Sequence, residues 1–349
     1  EACPRLKTPP KEIRAKGFVT TLAYLKRLLT GSVSCQRTKL MLVGLGGAGK
    51  TSLVKALLSD NKKTPLNLGD AITDGIDICP WTVKTKEGEI TYSVWDFAGQ
   101  TVYYNTHQFF LSDRAVYLLL WNIRLGHEHA GLHFWLSSIS VHAPKAPIFV
   151  VGTHLDQMSK VELPLIEMEK KYPQIRGFHF ISSHTGQGIQ ELQEQLIEVT
   201  LQQQYMGEKI PGVWLSFEES IKSMQDKSVI EYKELENKAY RSGIFDATEV
   251  AHAVQFLHEL GSLQHFTNAN LRSHVVVNPQ WIVDVMACVV SVKDSHIKDG
   301  KLHHSDVAKV WKDYDSSLHK WLLMLTEEFD LTFPLKDVPI HLVPCLLPE

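Results

Sequence analysis

Apolar and polar positions change rhythm three times along this chain. Over residues 18–29, "FVTTLAYLKRLL" places Phe18, Leu22, Leu25 and Leu28/Leu29 at helical spacing. That spacing predicts an amphipathic helix whose apolar side packs on a neighbour. The Pro-punctuated "CPRLKTPPKEI" before it reads as irregular, and "TGSVSCQ" after it reads as a linker. From Leu40 the pattern alternates between strands and helices. "LMLVGL" is a buried strand ending at a glycine loop, and "KTSLVKALL" is a helix. "IDICPWTV" and "EITYSVWD" are strands joined by the hairpin signal "KTKEG". "AVYLLLWN", "APIFVVGT" and "GFHFIS" are continuous apolar runs of the kind buried on both faces. "AGLHFWLSSISVHA", "KVELPLIEMEKKY" and "GIQELQEQLIEVTLQQQ" are the helices among them. The alternation predicts an α/β, doubly wound and mainly parallel sheet over residues 38–205, with one antiparallel pair.

The third rhythm, over residues 206–349, is helix-rich. "WLSFEESIKSM", "YKELENKAYRSG", "ATEVAHAVQFLHELG", "NPQWIVDVMACVV" and "LHKWLLMLTEEFD" read as helices, and "SLQHF", "SHVVV" and "HLVPCLL" as short strands. A helical trio followed by a small β wing resembles a winged helix. The presumptive recognition helix, Asp246–Leu260, contains no Lys or Arg to meet phosphates, so the shape is read as a protein-interaction unit.

Composition adds exclusions. The 349 residues are 44% apolar with a net charge of −3, so no global positive field draws the chain to nucleic acid or anionic lipid. The five cysteines are scattered without a C-x-x-C pair, as expected of idle thiols in a reducing compartment. No apolar run reaches transmembrane length. A cytoplasmic location is expected, with peripheral membrane association left open. A start at Glu1 rather than Met is read as a piece of something longer.

Candidate chemistry begins in "KLMLVGLGGAGKTSL", which satisfies two phosphate-binding patterns at once. Gly44, Gly46 and Gly49 spell G-x-G-x-x-G; Gly44, Gly49, Lys50 and Thr51 spell the P-loop, G-x-x-x-x-G-K-T. A dinucleotide site needs an acidic residue ending the second strand, and the polar, Pro-broken "NKKTPLNLGD" gives Asp70 no strand to end. The P-loop needs Lys50 for the β- and γ-phosphates and Thr51 for magnesium, and has both. Backbone N–H groups from Gly46 through Gly47, Ala48 and Gly49 to Thr51 face the phosphates in this reading, with Ser52 beside them. In "SVWDFAGQ", Asp96 and Gly99 stand at D-x-x-G spacing. Asp96 can hold magnesium through water, Gly99 can offer its N–H to a γ-phosphate, and Gln100 can orient an attacking water. In "VVGTHLD", Asp156 is acceptor-only, matching the two donors of guanine's Watson–Crick edge. Ser182 and Ser183 in "ISSHTGQG" are placed to brace Asp156 or contact the base. Thr73 can reach magnesium and the γ-phosphate, with Thr64 as its rival; Lys62 and Lys63 read as solvated charge.

P-loop, D-x-x-G, T-H-L-D and S-S-x in this order resemble the small GTPase superfamily. "GIDI…WDFAGQ…HQFFLSDRAVYLLLWN…APIFVVGTHLD" is similar to the Roc domain of Roco proteins. "VNPQWIVDVM" and "HLVPCLLPE" resemble COR, and "RLKTPPKEIRAKGFVTTLAYLKRLL" resembles the end of a leucine-rich-repeat region with its capping helix. The resemblance implies residues 1–37 as that repeat end and linker, 38–205 as Roc, and 206–349 as the first half of COR. It further implies a GTP/GDP switch with Mg2+ on Thr51, Thr73 and, through water, Asp96. Gln100, Lys50 and Gly99 would act in slow hydrolysis. A kinase domain outside this stretch and protein partners through COR and the repeat end are also implied. So is a homodimer in the full-length protein, with a monomer expected for this stretch. One departure stands out: Thr153 and His154 replace the Asn and Lys of N-K-x-D. Thr153 is expected to be too short to bridge to the P-loop and His154 to cover the base less fully, loosening nucleotide binding.

Other features are set aside. His129 and His133, one helical turn apart, lack the further ligands of a zinc site. His303 and His304 read as exposed, and Trp214, Trp281, Trp311 and Trp321 as core. Two rival functions stay open: a nucleotide-binding scaffold with little hydrolysis, and an NAD-dependent enzyme.

Overall fold

The structure, a computed structural model, describes residues 8–60, 62–64, 75–99, 107–158, 160–224, 226–290 and 296–348. Thr73 and Gln100 lie outside the described residues. Two N-terminal helices, α1 (Lys11–Ala15) and α2 (Phe18–Leu29), precede β1 (Ser32–Cys35). A six-stranded sheet follows, built from β2 (Arg37–Val43), β3 (Ile76–Thr85), β4 (Gly88–Phe97), β5 (Ala115–Asn122), β6 (Ile148–Thr153) and β7 (Ile175–Phe180). Its order is β3-β4-β2-β5-β6-β7, with only the β3–β4 hairpin antiparallel. Helices α3 (Lys50–Leu58), α4 (Leu132–His142), α5 (Leu165–Lys171) and α6 (Ile189–Leu201) flank it.

Every residue of β5 is buried because helices cover both faces of the sheet, which is what its unbroken apolar run demands. Leu53, Val54 and Leu57 of α3 and Leu192 and Leu196 of α6 fill one face. Trp135, Leu136 and Ile139 of α4 fill the other, where the core runs on into Ile282, Val285 and Met286 of the C-terminal half. The helix predicted over residues 160–172 is only α5, since Pro164 stands at its N-cap after a non-helical stretch.

Beyond the sheet come β8 (Glu208–Pro211), α7 (Gly212–Lys222), β9 (Val229–Glu231), α8 (Tyr232–Arg241), α9 (Ala247–Leu260), β10 (Gln264–His265) and β11 (His274–Val276). Strands β10, β11 and β9 form one antiparallel sheet, giving the helix–strand–helix–helix–wing order of a winged helix. The first of these strands, β9, was not expected. Helix α10 (Pro279–Val290), β12 (Lys301–His303), a one-turn helix (Val307–Val310), α11 (His319–Glu328), β13 (Phe333–Pro334) and β14 (Ile340–Leu342) follow. "HLVPCLL" is a strand only to Leu342; a short 3-10 turn starts at Pro344. Trp214, Trp311 and Trp321 are buried and Trp281 packs against the same core as Trp311 and Trp321.

Two N-terminal expectations need correction. "TGSVSCQ" is not a linker: β1 pairs antiparallel with β8 from Ser32↔Pro211 to Cys35↔Glu208. Helix α2 does not bury its expected apolar side, for Phe18 and Leu29 remain 78% and 88% exposed. It buries Tyr24 instead, whose hydroxyl donates to Lys209 O at 2.7 Å and whose ring meets Trp214 edge-on. Arg27, three residues on, pairs with Glu249 at 2.9 Å. Polar partners distant in sequence therefore choose the face.

The sheet and the winged helix are joined by buried charge. Arg37 at the start of β2 donates to both carboxylate oxygens of Glu218 at 2.6 and 2.7 Å. Arg114 lies 2.5 Å from Glu208, and both are almost fully buried. The fork of Arg37 on Glu218 and the desolvated Arg114–Glu208 pair fix orientation more than they add net stability.

Candidate functional site

The site forms where the parallel strands end. Strand β2 leaves Val43 into the glycine loop, and β4, beside it, brings Asp96 level with Leu42. On the other side β5 and β6 end in register, Asn122 opposite Thr153. Such a crevice at the carboxyl ends of a doubly wound sheet is where ligands bind.

The loop closes tightly on its neighbours. A Cβ on Gly44 would stand 2.2 Å from Leu120 O, so this strand exit admits no side chain. Gly49, in the left-handed region at φ 84°, is the N-cap of α3, aiming the helix's N-terminal N–H groups at the loop. Lys50 is 6% exposed and arches back, its Nζ donating to Gly44 O at 2.8 Å and Leu45 O at 3.0 Å. Burial pushes its ammonium down to about 8, with Asp96 opposing the shift. Thr51 Oγ1 donates to Asp96 Oδ2 at 2.5 Å, and Asp96 is buried. A hydroxyl and a carboxylate in contact beside a phosphate loop are the hard oxygen donors a hydrated Mg2+ takes, so these residues fit that ion. Gly99 packs directly on the loop: a Cβ there would lie 2.5 Å from Gly46 N and 2.7 Å from Lys50 Nζ.

The opposite side of the loop is fastened by hydrogen bonds. Thr153 Oγ1 donates to Ala48 O at 2.9 Å. The expectation that Thr153 is too short to reach the P-loop is therefore wrong. Strand β6 brings its backbone close enough for a hydroxyl to do what a longer amide does elsewhere. His154, left-handed at φ 66°, turns its Nδ1 onto the same hydroxyl at 2.8 Å. Burial holds its imidazole below the usual range. Asn122 Nδ2 reaches Gly47 O at 3.4 Å, while its Oδ1 accepts from Arg124 N and Nε. Sequence reading missed Asn122, although a polar residue ending an apolar strand beside a phosphate loop was the available signal.

Asp156 is exposed, and a hydrogen bond from the buried Ser182 holds its carboxyl below the usual range. Ser183 has a different contact: its carbonyl accepts from Thr64 N at 2.7 Å. Thr64 Oγ1 donates to Ser52 O at 2.7 Å, so its hydroxyl is engaged with α3. His133 Nδ1 lies 3.3 Å from the Tyr172 hydroxyl, and His129, His303 and His304 are exposed.

The family model described as Roc, the Ras of Complex domain of DAPkinase, matches residues 39–156; that of the COR-A domain, C-terminal of Roc, matches residues 211–347. The probable serine/threonine-protein kinase pats1 of Dictyostelium discoideum is 36% identical over 98% of this chain, which spans 12% of that relative. Leucine-rich repeat serine/threonine-protein kinase 1 of Mus musculus is 26% identical over 97% of this chain and 19% of its own length. Among solved structures, Methanosarcina barkeri Roco2 RocCORdC bound to GDP superposes with a TM-score of 0.82 at 28% identity, covering 91% of this chain and 98% of that one. The chain thus belongs to the Roco family, as a Roc domain followed by COR-A.

Proposed function

We propose that this Roc–COR unit is a guanine-nucleotide switch that hydrolyses GTP to GDP and phosphate. The observation that carries the reading is the meeting of Lys50, Thr51, Asp96 and Gly99 at one end of the glycine loop. The Methanosarcina barkeri neighbour's bound GDP supports it. In the reaction the bond from the γ-phosphorus to the β–γ bridging oxygen breaks as a water oxygen bonds to phosphorus. Lys50, partly desolvated, turns from the Gly44 and Leu45 carbonyls to meet the charge growing on the leaving phosphate. Thr51 and Asp96, with Thr73, would hold Mg2+, which when bound neutralises phosphate charge. Gln100 orients the water and Gly99 N–H meets the γ-phosphate. Asp156, kept ionised by Ser182, accepts from guanine's edge.

Turnover is slow, because residues 61–76 and 96–100 supply no arginine finger, and a protein partner or second protomer accelerates it. COR passes the nucleotide state to neighbouring domains, in the whole protein a repeat region and a kinase as the relatives' names suggest. Cys35, Cys79, Cys288 and Cys345 are free thiols, and no helix among the described residues is long and apolar enough to cross a membrane. Single-turnover hydrolysis of GTP by purified protein tests the reading, with slow phosphate release expected and slower release in Gln100→Leu. An unchanged rate in Gln100→Leu removes its role; tight binding with no turnover leaves a nucleotide-binding scaffold.

A further inference from the structure

A chain of contacts runs from COR to the γ-phosphate side of the loop. Gln280, in the first turn of α10, accepts from Ile76 N through its Oε1 at 2.8 Å. Its Nε2 donates to Asp284 Oδ1 at 2.7 Å, which fixes the amide's orientation. Gly75, two residues after Thr73 and left-handed at φ 71°, lets the amide in: a Cβ there would stand 2.1 Å from Gln280 Nε2. Gly75 O then accepts from Ala98 N at 2.8 Å, and Ile76 pairs with Phe97. The next residue, Gly99, rests on Gly46 and Lys50, where the γ-phosphate of a P-loop nucleotide must go. One side chain from the COR unit thereby holds the backbone at Gly75 and Ile76, just after Thr73, and through it the backbone leading into Gly99.

We propose that Gln280 is a positioning residue that sets the preference between di- and triphosphate, favouring the arrangement in which Gly99 lies on Gly46. The inference rests on the guanine-nucleotide reading above. Admitting a γ-phosphate requires Gly99 to leave Gly46, and that shift pulls on Ala98, Gly75 and Ile76. Releasing Gln280 lowers the cost of the shift without touching the phosphate cradle.

The test compares affinities for fluorescent GDP and a fluorescent non-hydrolysable GTP analogue in wild type, Gln280→Met and the exchange Gln280→Glu/Asp284→Asn. Met keeps the side chain's bulk and loses the acceptor. The exchange keeps an acceptor toward Ile76 N and reverses the polarity of the bond to residue 284. Gln280→Met should raise the analogue-to-GDP affinity ratio about 3- to 10-fold, the ratio one net hydrogen bond is worth, and the exchange should restore it. A purely structural role would weaken both nucleotides alike, so an unchanged or lower ratio in a normally melting Gln280→Met overturns the proposal. Should Gln280→Met melt early, Gln280→Ala serves in its place, since it removes the same acceptor and leaves Gly75 untouched, and the same ratio decides. Wild type that binds neither nucleotide overturns the guanine reading itself.

Discussion

The two sides of the glycine loop are held in different ways. Toward the base, Thr153 and Asn122 end adjacent strands in register and fasten two successive loop carbonyls, Ala48 O and Gly47 O, from within the sheet itself. Toward the γ-phosphate the contact is glycine on glycine, Gly99 against Gly46, steadied from the COR side through Gln280. Side-chain hydrogen bonds from rigid strands give a fixed seat. A contact between two backbones, tethered to another unit, can give way to a phosphate. On the proposed reading, grip on the nucleotide belongs to the sheet, while sensing of its third phosphate is shared with COR.

Lys50 holds Gly44 O and Leu45 O beside Gly99 and in the proposed reading meets the phosphates directly, so its loss should have the largest effect. Lys50→Ala should weaken GDP binding by about 3 kcal/mol or more, the worth of charge-assisted contacts to phosphate. Calorimetric titration measures this, and retention of wild-type affinity would place the phosphates elsewhere. Next comes the fixed side. Thr153→Ala strands Ala48 O and should cost about 1–2 kcal/mol of GDP affinity, with Thr153→Ser close to wild type. Equal losses in the two variants would mean that the methyl, and not the hydroxyl, matters.

On the yielding side, Gly46→Val should leave GDP affinity within about a few-fold of wild type while slowing GTP turnover about tenfold or more. Its Cβ meets Gly99 O at 3.1 Å before the rest of the side chain is counted, crowding the path of the attacking water. Normal turnover in that variant breaks the contrast between the sides. The smallest effect is in pH. Nucleotide phosphates favour charged Lys50, whose ammonium titrates at about 8 in the free protein. GDP affinity should therefore be flat below that value and fall as pH rises through it, about fourfold between pH 7 and 8.5. A rise over that interval would contradict the assignment of Lys50.

These contrasts also explain what could be read from sequence. Helix α3 and strand β5 have the predicted bounds because a glycine loop and an unbroken apolar run are local signals. P-loop, D-x-x-G and T-H-L-D were legible because each motif carries its donors within a few residues. The exposed face of α2 was misread because Tyr24 answers to Lys209, 185 residues away. Strand β1 reads locally as a linker for the same reason, since its partner β8 lies far along the chain. The reach of Thr153 depends on how closely β6 approaches the loop, which no residue type discloses. Gln280 gave no signal at all: its amide acquires meaning only beside Ile76, 204 residues earlier.

If this loop seats a guanine nucleotide, parallel titration of the purified protein with GDP and ADP separates the two bases. GDP should saturate the protein at concentrations where ADP does not, and Asp156→Asn should weaken GDP by about 1–3 kcal/mol through a lost charge-assisted pair. Equal affinity for GDP and ADP in the unmutated protein would contradict the account.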